Sequence, residues 1–126
     1  MQDTAQKTVN AYGPLTTCVL PPTGCQLAGP STQATIVGSQ AIVILTAQID
    51  GSTGQTAGFM NVQVDGTLPS TDANSLRVFG NDPVRASATA LITGLTPGLH
   101  TFTAVYKNIG SGTSTFSART ITVIPG

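Results

Sequence analysis

The last third of the chain contains the pattern that most constrains its fold. Pro97-Gly98 matches the central positions of a type II turn, because proline presets a negative φ and glycine accepts the positive φ that follows. After this turn, apolar and polar residues alternate through residues 99–107, and the alternation recurs through residues 119–125. A period of two in segments rich in Thr, Val, Ile and aromatic residues predicts half-buried strands. The sequence therefore predicts that the chain ends in two β-strands.

Earlier segments carry related patterns and no helical periodicity. Residues 42–45 read Ile-Val-Ile-Leu without interruption, which predicts a central strand covered on both faces. Asp65-Gly66 predicts a tight turn. Together these segments predict seven or eight strands and an all-β, two-sheet antiparallel sandwich over residues 31–126. The earlier predicted strands are 31–37, 40–50, 59–65, 76–79 and 84–95.

The composition argues against charged partners. Only 8% of the 126 residues are charged, there is no Glu, and the formal net charge is zero, whereas charged residues make up about 25% of an ordinary globular chain. Nucleic acid and anionic membranes require a basic patch, so neither is predicted as a partner. No segment approaches the roughly 20 apolar residues of a membrane span, and the start of the chain has no signal-like apolar region. We therefore expect a protein made in the cytoplasm, with much of its surface covered by other subunits.

Residues 1–30 differ from the rest because prolines and glycines divide them into short pieces. This composition predicts an N-terminal arm or irregular edge element outside the 31–126 domain. The arm has enough apolar side chains to dock on its own domain or on a neighbour, and they form a candidate attachment site. These side chains are Val9, Tyr12, Leu15, Val19 and Leu20.

Cys18 and Cys25 lie on either side of a short segment that contains Pro21-Pro22. A turn of this kind brings two Cα atoms within reach of a disulfide. The sequence alone leaves a disulfide and two free thiols equally open. A metal site is disfavoured, because two Cys and one His fall short of four ligands.

No constellation of side chains predicts catalysis or a cofactor. His100, the single histidine, shares a strand face with Phe102 and Tyr106, which predicts a structural imidazole in the core or in an interface. A catalytic triad would need a placed nucleophile and a carboxylate, and no nucleophile-elbow motif is present. The loop aspartates are too far apart in sequence for a calcium loop. The glycine-rich segments 51–58 and 108–113 are predicted to be either recognition loops or ordinary connections.

Three segments resemble, in order and spacing, motifs of the C1q/TNF-like jelly-roll domains of phage and bacterial surface proteins. Residues 93–107, Thr-Gly-Leu-Thr-Pro-Gly-Leu-His-Thr-Phe-Thr-Ala-Val-Tyr-Lys, are similar to one strand pair of that family. Residues 119–124, Arg-Thr-Ile-Thr-Val-Ile, are similar to its closing strand, and residues 62–66, Val-Gln-Val-Asp-Gly, to its mid-domain hairpin. The resemblance implies a jelly-roll sandwich that trimerises and does no chemistry. An immunoglobulin-like sandwich is the alternative architecture.

These observations predict a non-enzymatic virion structural protein. We expect a capsid decoration or surface protein that assembles, as a trimer, on a major capsid protein or another virion protein. The alternating face of Thr101, Thr103 and Val105 is the candidate subunit interface. The alternative is a receptor- or glycan-binding adhesin domain of a tail fibre or a bacterial surface fibre.

Overall fold

A computed structural model describes residues 4–19 and 25–126 and confirms the predicted all-β, two-sheet antiparallel sandwich. The described residues contain no helix. Their strands are β1 (Ala5–Lys7), β2 (Thr17–Cys18), β3 (Ser31–Ile36), β4 (Ala41–Gly51), β5 (Ala57–Val64), β6 (Leu76–Phe79), β7 (Val84–Ile92), β8 (Gly98–Ile109) and β9 (Ser114–Pro125).

The two sheets contain five and four strands. The larger sheet, here called sheet A, has the order β2-β1-β9-β4-β7, and the smaller, sheet B, has the order β3-β8-β5-β6. With β2 set aside, four of the pairings are nested: β1 pairs with β9, β3 with β8, β4 with β7, and β5 with β6, all antiparallel. The chain therefore folds back on itself like one long hairpin whose successive pairs alternate between the sheets.

The core lies between the inward faces of the sheets. Leu45 and Ile49 of β4 and Phe102 and Tyr106 of β8 have no exposed surface. The rings of Tyr106 and Phe116 meet edge to face, with centroids 4.9 Å apart, an arrangement that aromatic quadrupoles favour. Phe102 and Tyr106 lie on the inward face of β8, at the period of two that the alternation in the sequence predicted for this strand.

The predicted turns have the expected backbone. Asp65 and Gly66 both have positive φ, 52° and 85°, and connect Val64 to Thr67, which form a β-bridge. Two consecutive positive φ values are typical of a type I′ hairpin, for which Asp-Gly is a preferred sequence. Gly98 also has the positive φ, 126°, that the Pro-Gly pair predicted.

The prediction that β4 is covered on both faces is wrong. β4 alternates between buried and partly exposed residues, and Ile42 keeps 38% of its surface exposed. β5 is the strand covered on both faces. Met60 and Val62 point to the core, yet Phe59 and Asn61, which alternate with them, are also buried. The loop after β5 returns over this face, since the Asn61 side chain donates to the carbonyl oxygen of Thr71 at 3.1 Å.

A β-bulge divides β9 into two halves. The pairing with β4 shifts between Thr46 and Gln48, opposite Ala118, whose φ is 51°. A bulge adds one residue to one strand and so changes which side chains face inward. Phe116 points to the core before the bulge, and Arg119 and Ile121 do so after it. The bulge therefore directs the Arg119 side chain into the protein interior.

The described part of residues 1–30 belongs to the sandwich. β1 pairs with β9 from Ala5 opposite Phe116 to Lys7 opposite Ser114, and Ala5 has no exposed surface. Farther on, Gly13 forms a β-bridge with Tyr106 of β8. The described part of residues 1–30 is thus paired with strands that follow residue 31, and β2 and β1 lie at one edge of sheet A. The short β1 was missed because three residues carry no measurable periodicity.

Candidate interaction surfaces

Part of the outer face of sheet A is uncharged, and the row beyond this part contains Gln48 and Arg85. The outward side chains of its three adjacent strands β7, β4 and β9 lie in register as three rows of three, and we call this set the neutral face. The rows are Leu91-Ile42-Ile124, Thr89-Ile44-Thr122 and Ser87-Thr46-Thr120. None of the nine side chains can ionise. The neutral face is thus a patch of hydroxyl and aliphatic groups.

The first row of the neutral face is the most apolar part of it. Leu91, Ile42 and Ile124 keep 53%, 38% and 49% of their surface exposed. In the third row, the hydroxyls of Thr46 and Ser87 are 2.8 Å apart and satisfy each other. Because these two hydroxyls are already hydrogen-bonded, covering this row of the face costs little polar desolvation.

The outer face of sheet B differs, because it carries a charged cluster. Asp72 accepts hydrogen bonds from Lys107 Nζ and from the Tyr12 hydroxyl, both at 2.6 Å. The ammonium group of Lys107 lies 4.7 Å from the Tyr12 ring centroid and 4.6 Å from that of Phe59, within range of a cation–π interaction. This cluster attaches both the N-terminal segment and the loop after β5 to the sheet.

The electrostatics of the cluster agree with this role. Burial, followed by the hydrogen bond to Asp72, raises the pKa of Tyr12 to about 12. The hydrogen bond from Lys107, followed by that from Tyr12, lowers the pKa of the Asp72 carboxyl. Near neutral pH the phenol is therefore protonated and donates to a carboxylate. The cluster is occupied within the chain itself and offers little to a partner.

The predicted subunit interface is only partly accessible. Val105 is 3% exposed, so it cannot be a contact residue of the folded chain, and this part of the prediction is wrong. The physical reason is that Val105 lies opposite Asn61 of β5, the strand covered on both faces. Thr101 and Thr103 are half-buried and form hydrogen bonds to β3. The Thr101 hydroxyl accepts from the Gln33 amide at 3.3 Å, and the Thr103 hydroxyl lies 2.9 Å from that of Ser31.

The predicted attachment residues are likewise only partly accessible. Leu15 is 2% exposed and belongs to the core, and Tyr12 is held by Asp72, so these two are not available for attachment. Val9 is 48% exposed and Val19 is half-buried. Leu20 lies outside the described residues. The structure thus uses two of the four described candidates, Tyr12 and Leu15, for its own sandwich.

Cys18 and Cys25 are joined in a disulfide, with Cα atoms 6.1 Å apart. Of the two alternatives that the sequence left open, the structure has the bonded one. Cys18 lies at the end of β2, the outermost strand of sheet A. The disulfide therefore links the end of β2, at one edge of sheet A, to residue 25.

His100 is held by two hydrogen-bond acceptors. Its Nδ1 lies 2.6 Å from Asp65 Oδ2, and its Nε2 lies 2.6 Å from the carbonyl oxygen of Thr96. A carboxylate and a carbonyl can only accept, so both ring nitrogens carry hydrogen and the imidazole is cationic. The Nε2 proton is committed to the Thr96 carbonyl, which leaves no ring nitrogen to act as a base toward the Thr96 hydroxyl.

This arrangement predicts a pH-dependent stability. The bond to the Thr96 carbonyl, followed by that to Asp65, raises the pKa of His100. The stabilisation is fully present below the unfolded pKa of about 6.5 and is lost as pH rises through the higher folded pKa. Urea unfolding from about pH 6 to about pH 9 should show stability falling for the native chain and a flatter profile for His100→Gln. Parallel profiles for the two chains would contradict the cationic imidazole.

The same pair behaves oppositely in acid. The hydrogen bond from the Thr101 backbone amide, followed by that from His100, lowers the pKa of the Asp65 carboxyl. A lowered carboxyl pKa contributes stability above about pH 4 that is lost as pH falls. The two groups together favour the folded chain between mildly acidic and neutral pH.

A cavity of about 430 Å³ lies between β5, the loop of residues 67–74 and the segment that follows β7. Its apolar lining includes Val62, Val64 and Ile92, and its polar lining includes Ser70 and Asn74. No charged or aromatic side chain lines it. Its volume is in the range of small-molecule sites, and its chemistry suits a neutral ligand.

The signal for the neutral face was present in the sequence but could not be assembled from it. The nine outward residues of the neutral face are Ile, Leu, Thr and Ser, and they recur at every second position of β4, β7 and β9. Which strands are neighbours depends on the nested pairing, since β9 inserts between β1 and β4. Only the sheet order brings these residues together.

No protein-family model matches the chain, and no curated protein matches it. Within residues 4–19 and 25–126, no three His, Cys, Asp or Glu residues are grouped so that they could hold a metal ion. None of the described segments forms a helix long and apolar enough to span a membrane. The class of protein is therefore defined by the fold and the surfaces: a two-sheet antiparallel β-sandwich with an uncharged patch of nine side chains on one outer face.

Proposed function

We propose that this chain is a non-enzymatic structural protein of an assembled particle, specifically a virion surface or capsid decoration protein. The observation that carries the proposal is the neutral face. Three adjacent strands present nine outward side chains without one ionisable group. A chain with few charges that leaves such a surface open fits a protein whose surface is covered by other subunits.

The energetics favour a contact of this kind. Apolar area contributes about 25 cal/mol per Å² when it is removed from water. The neutral face is smaller than the roughly 800 Å² per partner of a standard interface, so it would form the dry centre of a larger contact. Depletion of charge at the centre is the compositional mark of such interfaces.

The finer architecture that we propose is a jelly roll. Its support is the nested pairing of β1 with β9, β3 with β8, β4 with β7 and β5 with β6. A long hairpin rolled into two sheets is the arrangement of jelly rolls, which occur in viral capsid proteins. The sequence resemblance to C1q/TNF-like domains supports the same architecture.

A charge placed on the neutral face tests the function. Thr122→Lys, in the middle row of the neutral face, should reduce the number of copies bound per purified particle roughly tenfold or more, because a buried unpaired ammonium is costly. Thr35→Lys is the matched control, since it introduces the same change at an exposed threonine of β3 in the other sheet. Gel densitometry of purified particles gives the copy number.

Two outcomes would reject the proposal. Equal occupancy of Thr122→Lys and the native chain would exclude the neutral face as the contact. A native copy number of only a few per particle, instead of scores or hundreds, would indicate a component of a fibre tip.

The second candidate, a receptor- or glycan-binding adhesin, is favoured by the cavity beside β5. A site of about 430 Å³ with uncharged polar and apolar lining suits a neutral polar ligand. Asn74→Leu would remove an amide from the cavity without changing the neutral face. Loss of cell or glycan binding by this variant, with normal copy number, would support the adhesin over the decoration protein.

A further inference from the structure

The strand β7 is an open edge of sheet A. It pairs with β4 on one side and is the last strand in the sheet order. Among the described residues, no loop forms a backbone hydrogen bond along its other side. At nine residues it is the longest such edge, since β2 has two residues, β6 four and β3 six. It presents unpaired backbone groups over about 30 Å.

This edge lacks the features that keep edges from pairing. Natural edge strands are protected by proline, bulges or several charges. β7 contains no proline, its nine pairs with β4 run without a register shift, and its single charged residue is Arg85. A long, regular and nearly neutral edge is a template for another strand.

The sequence of β7 resembles its own reverse at three of the four pairs of positions about Ala88, the exception being Arg85 and Leu91. Around Ala88, the strand reads Val-Arg-Ala-Ser on one side and Thr-Ala-Leu-Ile on the other. In an antiparallel pair centred on Ala88, Ala86 would lie opposite Ala90 and Ser87 opposite Thr89. Val84 would lie opposite Ile92. Each of these pairs joins residues of like size and polarity, and Ser–Thr and aliphatic pairs stabilise antiparallel strands.

We propose that β7 pairs antiparallel with β7 of a second copy of this chain, about a two-fold axis at Ala88. Such an interface is self-complementary, as two-fold symmetry requires. It would join two copies of sheet A into one ten-strand sheet and place their neutral faces side by side, with Arg85 of each copy at the seam.

The pairing also accounts for exposed apolar side chains on β7. Val84 and Leu91 keep 43% and 53% of their surface exposed. Val84 would contact Ile92 of the second copy. Leu91 would lie opposite Arg85 of the second copy, whose aliphatic stem can cover it while the guanidinium reaches water. A two-fold contact of this kind gives dimers, in contrast with the trimer that the resemblance implies.

The contact is small, so it should be weak in dilute solution and strengthen at high local concentration. Pairing through β7 rests on the proposed assembly function and adds a second copy of the chain as a partner. The pairing itself can be measured without a particle. If the chain binds the particle normally but β7 does not pair, the dimer alone is rejected. If β7 pairs but the chain does not bind a particle, the proposed function alone is rejected.

Cysteine cross-linking tests the register. Ala88→Cys should give a covalent dimer under mild oxidation on a non-reducing gel, because residues on the axis lie about 5 Å apart between Cα atoms. Ala86→Cys is the matched control, since it would lie opposite Ala90 of the second copy, about 14 Å from its own counterpart. It should stay monomeric alone and cross-link when mixed with Ala90→Cys.

Three results would overturn the proposal. These are a folded Ala88→Cys chain that gives no covalent dimer, an Ala86→Cys chain that dimerises equally well by itself, and an unmodified chain that sediments as a monomer at every concentration. Circular dichroism of each variant establishes that it is folded. The sedimentation measurement needs no substitution, so the test holds even where a variant fails to fold.

Discussion

Gly110→Ala should destabilise the sandwich by about 4 kcal/mol, which is the largest effect expected of any single methyl group here. Gly110 has a φ of 104°, and a Cβ added to it would lie 2.0 Å from the backbone oxygen of Gln55. The strained φ and the clash with rigid backbone add together. Urea unfolding should therefore show a lower midpoint with an unchanged slope.

Gly94→Ala is the matched control. Gly94 also has a positive φ, 74°, but an added Cβ would meet nothing within 4 Å. Its cost should be limited to the backbone strain, about 1 kcal/mol. Equal losses in the two variants would show that the close approach to Gln55 contributes nothing.

A methyl group at Gly110 is costly because the two glycine-rich loops, residues 51–58 and 108–113, pack closely against each other. The Thr113 amide donates to the Ser52 hydroxyl at 2.8 Å, and the Ser52 amide donates to the Thr113 carbonyl at 2.9 Å. The Asn108 side chain donates to the Gly112 carbonyl at 2.8 Å. Of the two interpretations that the sequence allowed for these segments, their packing favours connections over free recognition loops.

Arg119→Ala should lower the free energy of unfolding by about 3 kcal/mol. The guanidinium is buried, with 6% of the residue exposed, and donates to the carbonyl oxygens of Gln26 at 2.5 Å and of Gly29 at 3.2 Å. It lies 5.5 Å from the Tyr106 ring centroid. Truncation removes a charged donor from the carbonyl oxygens of Gln26 and Gly29, of which Gly29 keeps the Tyr106 hydroxyl, and opens a cavity. Thermal unfolding followed by circular dichroism measures the loss.

Arg77→Ala is the control for the loss of an arginine. Arg77 is exposed on β6 and lies 6.0 Å from the Phe59 ring centroid, so its removal should cost less than about 1 kcal/mol. Arg119→Lys should fall between the two, because an ammonium keeps the charge but cannot reach both carbonyls as the planar guanidinium does. An Arg119→Ala chain as stable as Arg77→Ala would show that Arg119 does not hold residues 26–29 to β9.

Local features were predictable where a few neighbouring residues decide them. The Asp65-Gly66 and Pro97-Gly98 turns follow from the φ preferences of those residues. The inward positions of β8, including His100, Phe102 and Tyr106, follow from alternation. The structural role of His100 was also predicted, although its partner Asp65 was not, since the two lie 35 positions apart.

Other features depended on contacts between distant segments. β1 was missed because its three residues are held by β9 at the other end of the chain. Val105 was predicted to be accessible because its strand alternates, but β5, its neighbour, is covered from outside. The candidate neutral face combines three strands whose adjacency comes from the nested pairing.

The closing segment of the chain shows this division clearly. The sequence by itself determined that residues 98–125 form two strands, because turn chemistry and period-two alternation act over a few residues. Only the tertiary structure decided that β9 lies between β1 and β4, that its bulge turns Arg119 inward, and that β7 remains an open edge. Those outcomes depend on which strands meet, and strand pairing is a balance of burial and hydrogen bonding over the whole chain that no local pattern contains.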